Sequence, residues 1–492
     1  MPDSSRRPTT GFGLFWLLCA ILGLRLLSMA VLPMSDTTEP RYAETARLMA
    51  ERGDWITPWF TPELPFWGKP PLSFWAQAAS LKLFGVHDFA ARLPSWLAMI
   101  GILWLTLRLA RQQGSERLAW WSGLVLASMA LAFVSAGAVL TDPFLAFGTT
   151  LSLVSLALAS RGRRVPWGWL FFVGLAIGLL AKGPLALVLV GLPGTAWLLC
   201  KGRWRRAADA LPWRGGSLLV AVLVLPWYLA AELKTPGFLD YFLLGEHFRR
   251  FVDPGWAGDL YGNAHRETHG TIWLFLLWAS FPWGIAGLAL LAHRLCSRAG
   301  RATLRKALAD DDVRLLLAAG LAPAVFISFA GNIQWTYLLP GLPFLAILIA
   351  RGLLPLLDAT PVRRTALALV LAVPLMLSVA GVHLALHPHT LKSAAPLIAA
   401  LEALPGGSVE RLYYLEDMPF SARYYSRDAA RRIERAELLA ALAQAADGSP
   451  PLFIAVRRRD LDWLEQAAGT QLAVRYRGAQ HILLQHNPPT PR

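Results

Sequence analysis

Apolar runs of about twenty residues, the length a helix needs to cross a bilayer, recur along most of this chain and set its organisation. They read as Gly11–Pro33, Phe89–Ala110, Leu118–Leu140, Pro143–Ser160, Trp167–Ala181, Leu185–Cys200, Ser217–Ala231, Thr271–Leu295, Val313–Ala330, Tyr337–Leu354 and Thr365–Leu386. That makes about eleven predicted spans, with about thirteen as the upper count once short or proline-broken helices are allowed for. After Leu386 the pattern changes to short β-like runs, Val409–Leu415, Pro451–Val456, Leu472–Tyr476 and His481–Gln485, with helical stretches Ala436–Ala446 and Leu461–Ala468 among them. The expectation is an all-α polytopic membrane domain over residues 1–388 and a small extracytoplasmic α/β domain over residues 389–492.

The polar stretch Asp36–Pro71 interrupts the first two runs and concentrates acids, bases and aromatics. Its first half reads as a short helix, with Pro40 in the first turn and Gly53 just past the end. Tyr42, Ala43, Ala46, Met49 and Ala50 recur at helical spacing, so this face should lie on something apolar, while Arg41, Glu44, Arg47, Glu51 and Arg52 should show charge to water. A second helix is predicted over Pro70–Gly85, with Leu72, Trp75, Ala76, Ala79 and Leu83 opposite Ser73, Gln77, Ser80 and Lys82. It suits either a helix in the membrane plane or one packed on the spans.

With 55% hydrophobic residues in 492 and a mean hydropathy of +0.43, the chain is far more apolar than soluble folds. Lys+Arg exceed Asp+Glu by 47 to 32. That excess collects in short loops between apolar runs, at Arg6/Arg7, Arg108/Arg111/Arg117, Arg161/Arg163/Arg164, Lys201/Arg203/Arg205/Arg206, Arg294/Arg298/Arg301/Arg305/Lys306 and Arg363/Arg364. Clustering on alternate loops is the positive-inside signature, so nucleic acid is not an expected partner. The N-terminus is expected in the cytoplasm and the loops 34–86 and 232–270 outside, together with the α/β domain. The first run reads as a retained signal anchor. Cys19, Cys200 and Cys296 have neither disulfide-framework nor zinc spacing.

The outer-face polar residues are Asp36, Glu39, Arg41, Lys69, Asp142, Lys182, Glu246, His247, Arg249, Arg250, Asp253, His265, His269 and Tyr337. No G-x-S-x-G, Ser/Lys or H-E-x-x-H pattern accompanies them, which argues against hydrolases and proteases. Asp36 and Glu39 fit helix-start positions, and Asp142 before Pro143 fits an N-cap; capping and catalysis both remain open for all three. Lys69 and Arg250 suit a phosphate or, equally, lipid headgroups. A carboxylate that takes a proton from an acceptor hydroxyl, beside cations that stabilise a departing phosphate, is what glycosyl transfer from a lipid-phosphate sugar needs. No nucleotide cofactor is called for.

The segments DTTEPRYAETARLMAERGDWITPWF, KPPLSFWAQAASLKLFG and FAARLPS, followed later by TDPFLAF, LAKGPLALVLVGLP, GEHFRRF and TYLLPGLPFLAIL, resemble bacterial GT-C glycosyltransferases of the aminoarabinose-transferase and protein-mannosyltransferase type. The resemblance implies a multi-pass bacterial inner-membrane enzyme. Such an enzyme moves a sugar, with inversion, from an undecaprenyl-phosphate-linked donor to a periplasmic acceptor. Lipid A is the favoured acceptor, with protein or glycan as further candidates. It also implies Asp36 as the base that activates the acceptor, Glu39 and Asp142 as further acids, and Arg41, Tyr42, Lys69, His247, Arg250 and Tyr337 as substrate and phosphate ligands. Asp142 and His247 are the candidates for holding a divalent metal ion. Two positions depart from the pattern: Gly68 stands where many relatives carry an acid before Lys-Pro-Pro, and GNIQWTY lacks a Lys before Tyr337.

The competing readings are a polytopic transporter or lipid flippase, and a structural protein that binds anionic lipid. The first calls for ionisable residues near mid-membrane in paired halves, and only Arg25 lies clearly inside a predicted span. The second needs only positive charge and leaves the outer acids without a role.

Overall fold

The computed structural model describes residues 9–162, 164–199, 209–253, 256–262, 267–444, 450–468 and 472–486. Arg6, Arg7, Arg163, Cys200, Lys201, Arg203, Arg205, Arg206 and His265, all singled out from the sequence, lie outside the described residues.

Among the described residues, seven helices are long and apolar enough to span a membrane: Gly11–Val31, Asp88–Gln113, Asp142–Ala159, Val165–Lys182, Trp213–Lys234, Trp335–Leu356 and Thr360–Leu386. An eighth is possible only if Thr271–Ala279 and Trp283–Leu295, bent by 105°, form one span. This corrects the expected eleven to thirteen. Leu118–Leu140 is broken into Glu116–Ala127 and Ala130–Ser135, Leu185–Leu199 has only 15 residues, and Asp311–Ile327 only 17. Hydropathy counts apolar length and does not see where a helix stops.

The two broken elements are joined at their breaks. Ala130 donates its N–H to the Phe281 carbonyl at 2.9 Å, and the Trp283 indole donates to Ser128 Oγ at 2.8 Å. Backbone groups freed inside an apolar bundle must be satisfied within the protein, and the Ala130–Phe281 bond satisfies one donor and one acceptor there.

The first loop carries α1 (Thr38–Arg52) and α2 (Leu72–Phe84). Gly53 closes α1 in the left-handed conformation, φ 66°, which glycine adopts without a Cβ penalty. The predicted apolar face of α1 is buried. Glu44 and Arg47 are buried as well, contrary to the expected exposed charge. Arg47 binds Glu44 at 2.6 Å, Glu51 at 2.5 Å and Asp428 of the C-terminal extension at 2.9 Å. A charged face meant for water became an interface because the extension brings a carboxylate to it. On α2 the polar side, Ser73, Gln77 and Ser80, is the buried one, and Leu83 and Phe84 are exposed.

The extension is β-rich: five strands, β1 (Leu412–Leu415), β2 (Arg431–Ile433), β3 (Leu452–Arg457), β4 (Leu472–Arg477) and β5 (His481–His486). Their order is β2-β1-β3-β5-β4, with β1 parallel to β2 and β3, and β5 antiparallel to β3 and β4. The three-residue β2 escaped sequence detection because Arg-Arg-Ile shows no alternation long enough to read. The helix Phe420–Ser426 also escaped, and it is the piece that docks on the first loop.

Candidate functional site

Asp36 lies in the turn before α1. Its carboxylate accepts the Ser421 N–H at 2.9 Å and the Ser421 hydroxyl, while its own N–H donates to the Lys392 carbonyl at 2.8 Å. Burial raises the Asp36 pKa above the ordinary carboxylate value, and the Ser421 hydrogen bonds work in the opposite direction. Glu39 accepts from two of the three Arg92 nitrogens, at 3.0 and 2.9 Å, and from the Val139 N–H at 2.9 Å. Neither acid caps α1: its N-cap is Thr37, with no side-chain cap hydrogen bond.

Arg41 donates to the Tyr261 carbonyl at 3.1 Å and sits 5.2 Å over the Tyr42 ring. Tyr42 packs on Phe66 and Phe74. Asp36, Glu39, Arg41 and Tyr42 thus build the seat of the first loop, and none of them lines the cavity described next.

That cavity, about 180 Å³, is lined by Lys69, Lys182, Glu246, His247, Arg250, Asn332 and Tyr337 on its polar side and by Leu185, Val188, Phe251, Phe326 and Ile327 on its apolar side. A π-helical stretch, Asp240–Arg249, brings up Glu246 and His247, with Arg250 immediately after it. Gly183, φ 65°, follows Lys182 and lets this stretch approach: a Cβ there would lie 2.6 Å from Phe242 Cζ. Lys69 Nζ meets Glu246 Oε1 at 2.5 Å, and Arg250 reaches Glu246 Oε2 at 2.7 Å and Asp259 at 3.1 Å. Burial works against the Glu246 carboxylate, but Lys69 and Arg250 prevail and hold it below the usual range.

Asp142 opens the span Asp142–Ala159, and its carboxylate goes to Lys182 Nζ at 2.7 Å instead of capping a helix N–H. Lys182 also lies 4.8 Å over the Tyr337 ring, whose hydroxyl accepts from Asn332 Nδ2 at 3.3 Å. The structure therefore gathers Lys69, His247, Arg250 and Tyr337 around one cavity and ties Asp142 to it through Lys182. Lys182 and Glu246 were visible as outer-face charges, but nothing in their spacing singled them out; Asn332 carried no charge to draw notice.

His247 offers Nδ1 to the Phe242 carbonyl at 2.8 Å and Nε2 to the Lys182 carbonyl at 3.0 Å. Burial lowers its pKa, and the two carbonyls oppose that. Both His247 ring nitrogens face carbonyl oxygens, and Asp142 Oδ1 is paired with Lys182. Among the described residues no group of three or more His, Cys, Asp or Glu is disposed to hold a metal ion.

The site is thus an amphiphilic, cation-rich cavity in a polytopic helical bundle that carries a small β-rich extension. The family described as dolichyl-phosphate-mannose-protein mannosyltransferase matches residues 13–242. The chain is 32% identical over 352 residues to the undecaprenyl phosphate-α-4-amino-4-deoxy-L-arabinose arabinosyl transferase 2 of Pseudomonas fluorescens, covering 69% of this chain and 60% of that one. It is 28% identical over 340 residues to the corresponding transferase of Shewanella sediminis, covering 67% and 58%. The match thus spans about three-fifths of the length of these relatives. The crystal structure of ArnT from Cupriavidus metallidurans bound to undecaprenyl phosphate superposes with a TM-score of 0.75 over 97% of this chain and 98% of that one, at 18% identity. The chain is thus related in sequence to the aminoarabinosyl transferases and shares the fold of ArnT along its length.

Proposed function

We propose that this protein transfers a sugar from an undecaprenyl-phosphate-linked donor to an acceptor on the outer face of the bacterial inner membrane, lipid A being favoured and glycan or protein remaining candidates. The observation that carries the reading is the cavity in which Lys69, Lys182 and Arg250 face a wall of Leu185, Val188, Phe326 and Ile327. A polyprenyl phosphate needs that combination: cations for its head, hydrocarbon for its first isoprene units. The relatives named for undecaprenyl phosphate-aminoarabinose transfer support the same assignment.

In the proposed step, the acceptor oxygen forms a bond to the sugar's anomeric carbon as the bond from that carbon to the phosphate oxygen breaks. The bonding electrons leave on the phosphate, so negative charge grows there. Lys69 and Arg250, fixed in place by Glu246, and Lys182, fixed by Asp142, stabilise that charge as preorganised donors. A single displacement inverts the anomeric centre. A hydroxyl acceptor loses its proton to a carboxylate; Asp36, the family resemblance's candidate for this base, lies outside the cavity and would have to meet the acceptor from the first loop. A phosphate acceptor is already anionic and needs little help. A divalent cation held by Asp142 and His247 would have to share the carboxylate with Lys182 and take an imidazole nitrogen from a backbone carbonyl.

Asp36 meets Ser421 and Lys392, so the first loop and the extension share one side of the bundle. The basic loops meet elsewhere, through Arg117 with Asp358 and Arg161 with Asp312. This supports a periplasmic site and extension, residues 389–492, above a membrane domain, residues 1–388, with a cytoplasmic N-terminus. The test is sugar transfer in membranes supplied with undecaprenyl-phosphate-linked donors, followed by mass spectrometry of lipid, glycan and protein fractions. Wild type should label one fraction and Lys69→Ala should not; absence of transfer from every donor by wild type would overturn the reading.

A further inference from the structure

Lys69 and Arg250 come from segments far apart in the chain, and besides Glu246 one further residue is tied to both. Tyr261, 8% exposed, donates its hydroxyl to the Pro65 carbonyl at 2.7 Å and accepts the Trp67 N–H at 2.9 Å. Those two bonds fix the stretch that leads into Lys69. The Tyr261 ring closes on the same stretch. A Cβ at Gly68 would lie 3.3 Å from Tyr261 Cδ2 and 3.2 Å from Phe66 Cζ, inside the optimum of about 3.5–4.0 Å for carbon contacts. Glycine therefore lets the backbone before Lys69 lie against the ring. Lys69 itself donates to the Gly68 carbonyl at 2.6 Å and to Glu246 at 2.5 Å.

The backbone of Tyr261 serves the other cation. Its N–H donates to Asp259 Oδ1 at 3.0 Å, and Asp259 Oδ2, on a side chain 10% exposed, lies 3.1 Å from Arg250 Nη2. Its carbonyl accepts from Arg41 at 3.1 Å, which ties it to α1. Phe60, Phe66 and Tyr241 surround the ring, with centroids at 5.0, 4.7 and 5.5 Å. Hydroxyl, N–H and carbonyl of one residue thus hold the stretch before Lys69, the carboxylate beside Arg250 and the first-loop helix in one closed circuit. A core aromatic needs the ring contacts. It does not need a hydroxyl whose two bonds both fall on the four residues before Lys69.

We propose that Tyr261 is a positioning residue for the transfer, setting the spacing of Lys69 and Arg250 around the donor phosphate, an inference that rests on the transferase reading above. Two like charges move apart unless each is anchored from its own side, and donors fixed beforehand stabilise a developing charge without rearranging. Glu246 attracts both cations from between them; Tyr261 supplies the frame that keeps them from following it. The same frame gives Arg41 a task away from the cavity, which is to seat Tyr261.

The test is a double-variant cycle on the full chain in detergent, read in undecaprenyl phosphate binding. Tyr261→Phe keeps the ring, removes the hydroxyl, and should weaken binding by about three- to tenfold. In a Lys69→Ala background the same change should alter binding by less than about twofold, because the cation it places is gone. Initial transfer rates should show the same non-additivity, and they stay measurable over the losses of about 10²–10³-fold expected for Lys69→Ala. Binding unchanged by Tyr261→Phe, or weakened by the same factor with and without Lys69, would overturn the proposal, since a residue that only supports the fold acts on both backgrounds alike. A Tyr261→Phe chain that does not fold would overturn it too, by making the hydroxyl a support of the fold. Binding that needs Lys69 and ignores Tyr261 sinks the proposal and leaves the donor reading standing; a wild type that binds no undecaprenyl phosphate removes the donor reading and the proposal with it.

Discussion

Lys69 and Glu246 meet at 2.5 Å although they stand 177 positions apart in the chain. Glu246 also holds Arg250, so one buried carboxylate occupies the space between the two cations that a donor phosphate would bridge. It positions them and competes for them. Lys69→Ala and Arg250→Ala should each reduce transfer by about 10²–10³-fold, the size of effect expected when one preorganised donor is removed from a developing charge. Glu246→Gln should change phosphate affinity in the other direction: with the rival charge removed, undecaprenyl phosphate should bind at least as tightly as to wild type. Isothermal titration with the lipid phosphate checks the sign. Weaker binding by Glu246→Gln would show that positioning outweighs competition.

Asp36 gives a pH prediction. Burial raises its pKa and the Ser421 hydrogen bonds lower it again. A step that needs the carboxylate ionised loses rate as pH falls through that raised value, so the acid limb of the transfer profile should lie above the ordinary carboxylate range. Ser421→Ala removes the hydroxyl donor, leaves burial in place, and should move the limb further up. Activity at pH 8 should change less than activity at pH 6. The pH profile of kcat/KM, measured with a hydroxyl acceptor, checks this. A limb that stays put in Ser421→Ala would make Asp36 a fastener between loop and extension.

Much of this arrangement could be read from the linear chain, and the failures have physical causes. Lys69 and Arg250 stood out because charge beside apolar runs is costly without a purpose, and the family resemblance added His247 and Tyr337; all four line one cavity. Asp36 and Glu39 stood out for the same reason, but their partners, Ser421 and Arg92, come from distant segments. Linear spacing could therefore place the acids at a helix start and go no further. The α1 charges misled for a related cause: Arg47 reads as a solvent residue until Asp428 is brought against it. The span count failed where a helix ends early, at Ser128 and Pro282, because apolar composition continues through the break.

The pair Asp142–Lys182, with each side chain 7% exposed, should behave as a coupled unit. Removing either partner leaves a buried charge uncompensated, a loss of about 3–5 kcal/mol for such pairs. Lys182→Met and Asp142→Asn should therefore each destabilise the protein strongly. The double variant should recover much of the loss, since a neutral pair has no desolvation penalty to offset. It should still transfer poorly, because the cation beside Tyr337 is gone. Thermal denaturation in detergent, read beside transfer, separates the two effects. Additive losses in stability would deny the coupling.

Glu39 is the acid whose surroundings argue most for a structural task. Arg92, almost fully buried, gives it two hydrogen bonds and spends its remaining nitrogen on the Met29 and Leu32 carbonyls at 3.0 and 2.5 Å. Val139 adds its N–H. The three contacts tie the end of the first span to the start of the second and to the segment before Asp142, so the carboxylate has little capacity left for a substrate. Glu39→Ala removes the carboxylate that pairs with the buried Arg92 guanidinium, leaving it the Met29 and Leu32 carbonyls and the charge of Asp88, and should cost about 3 kcal/mol, seen as a lower melting temperature. Transfer per folded molecule should stay within about threefold of wild type, a change that corresponds to well under 1.4 kcal/mol of transition-state stabilisation. A Glu39→Ala protein that keeps its melting temperature and loses transfer would return this residue to the catalytic set, which is where its place in the loop first suggested it belonged.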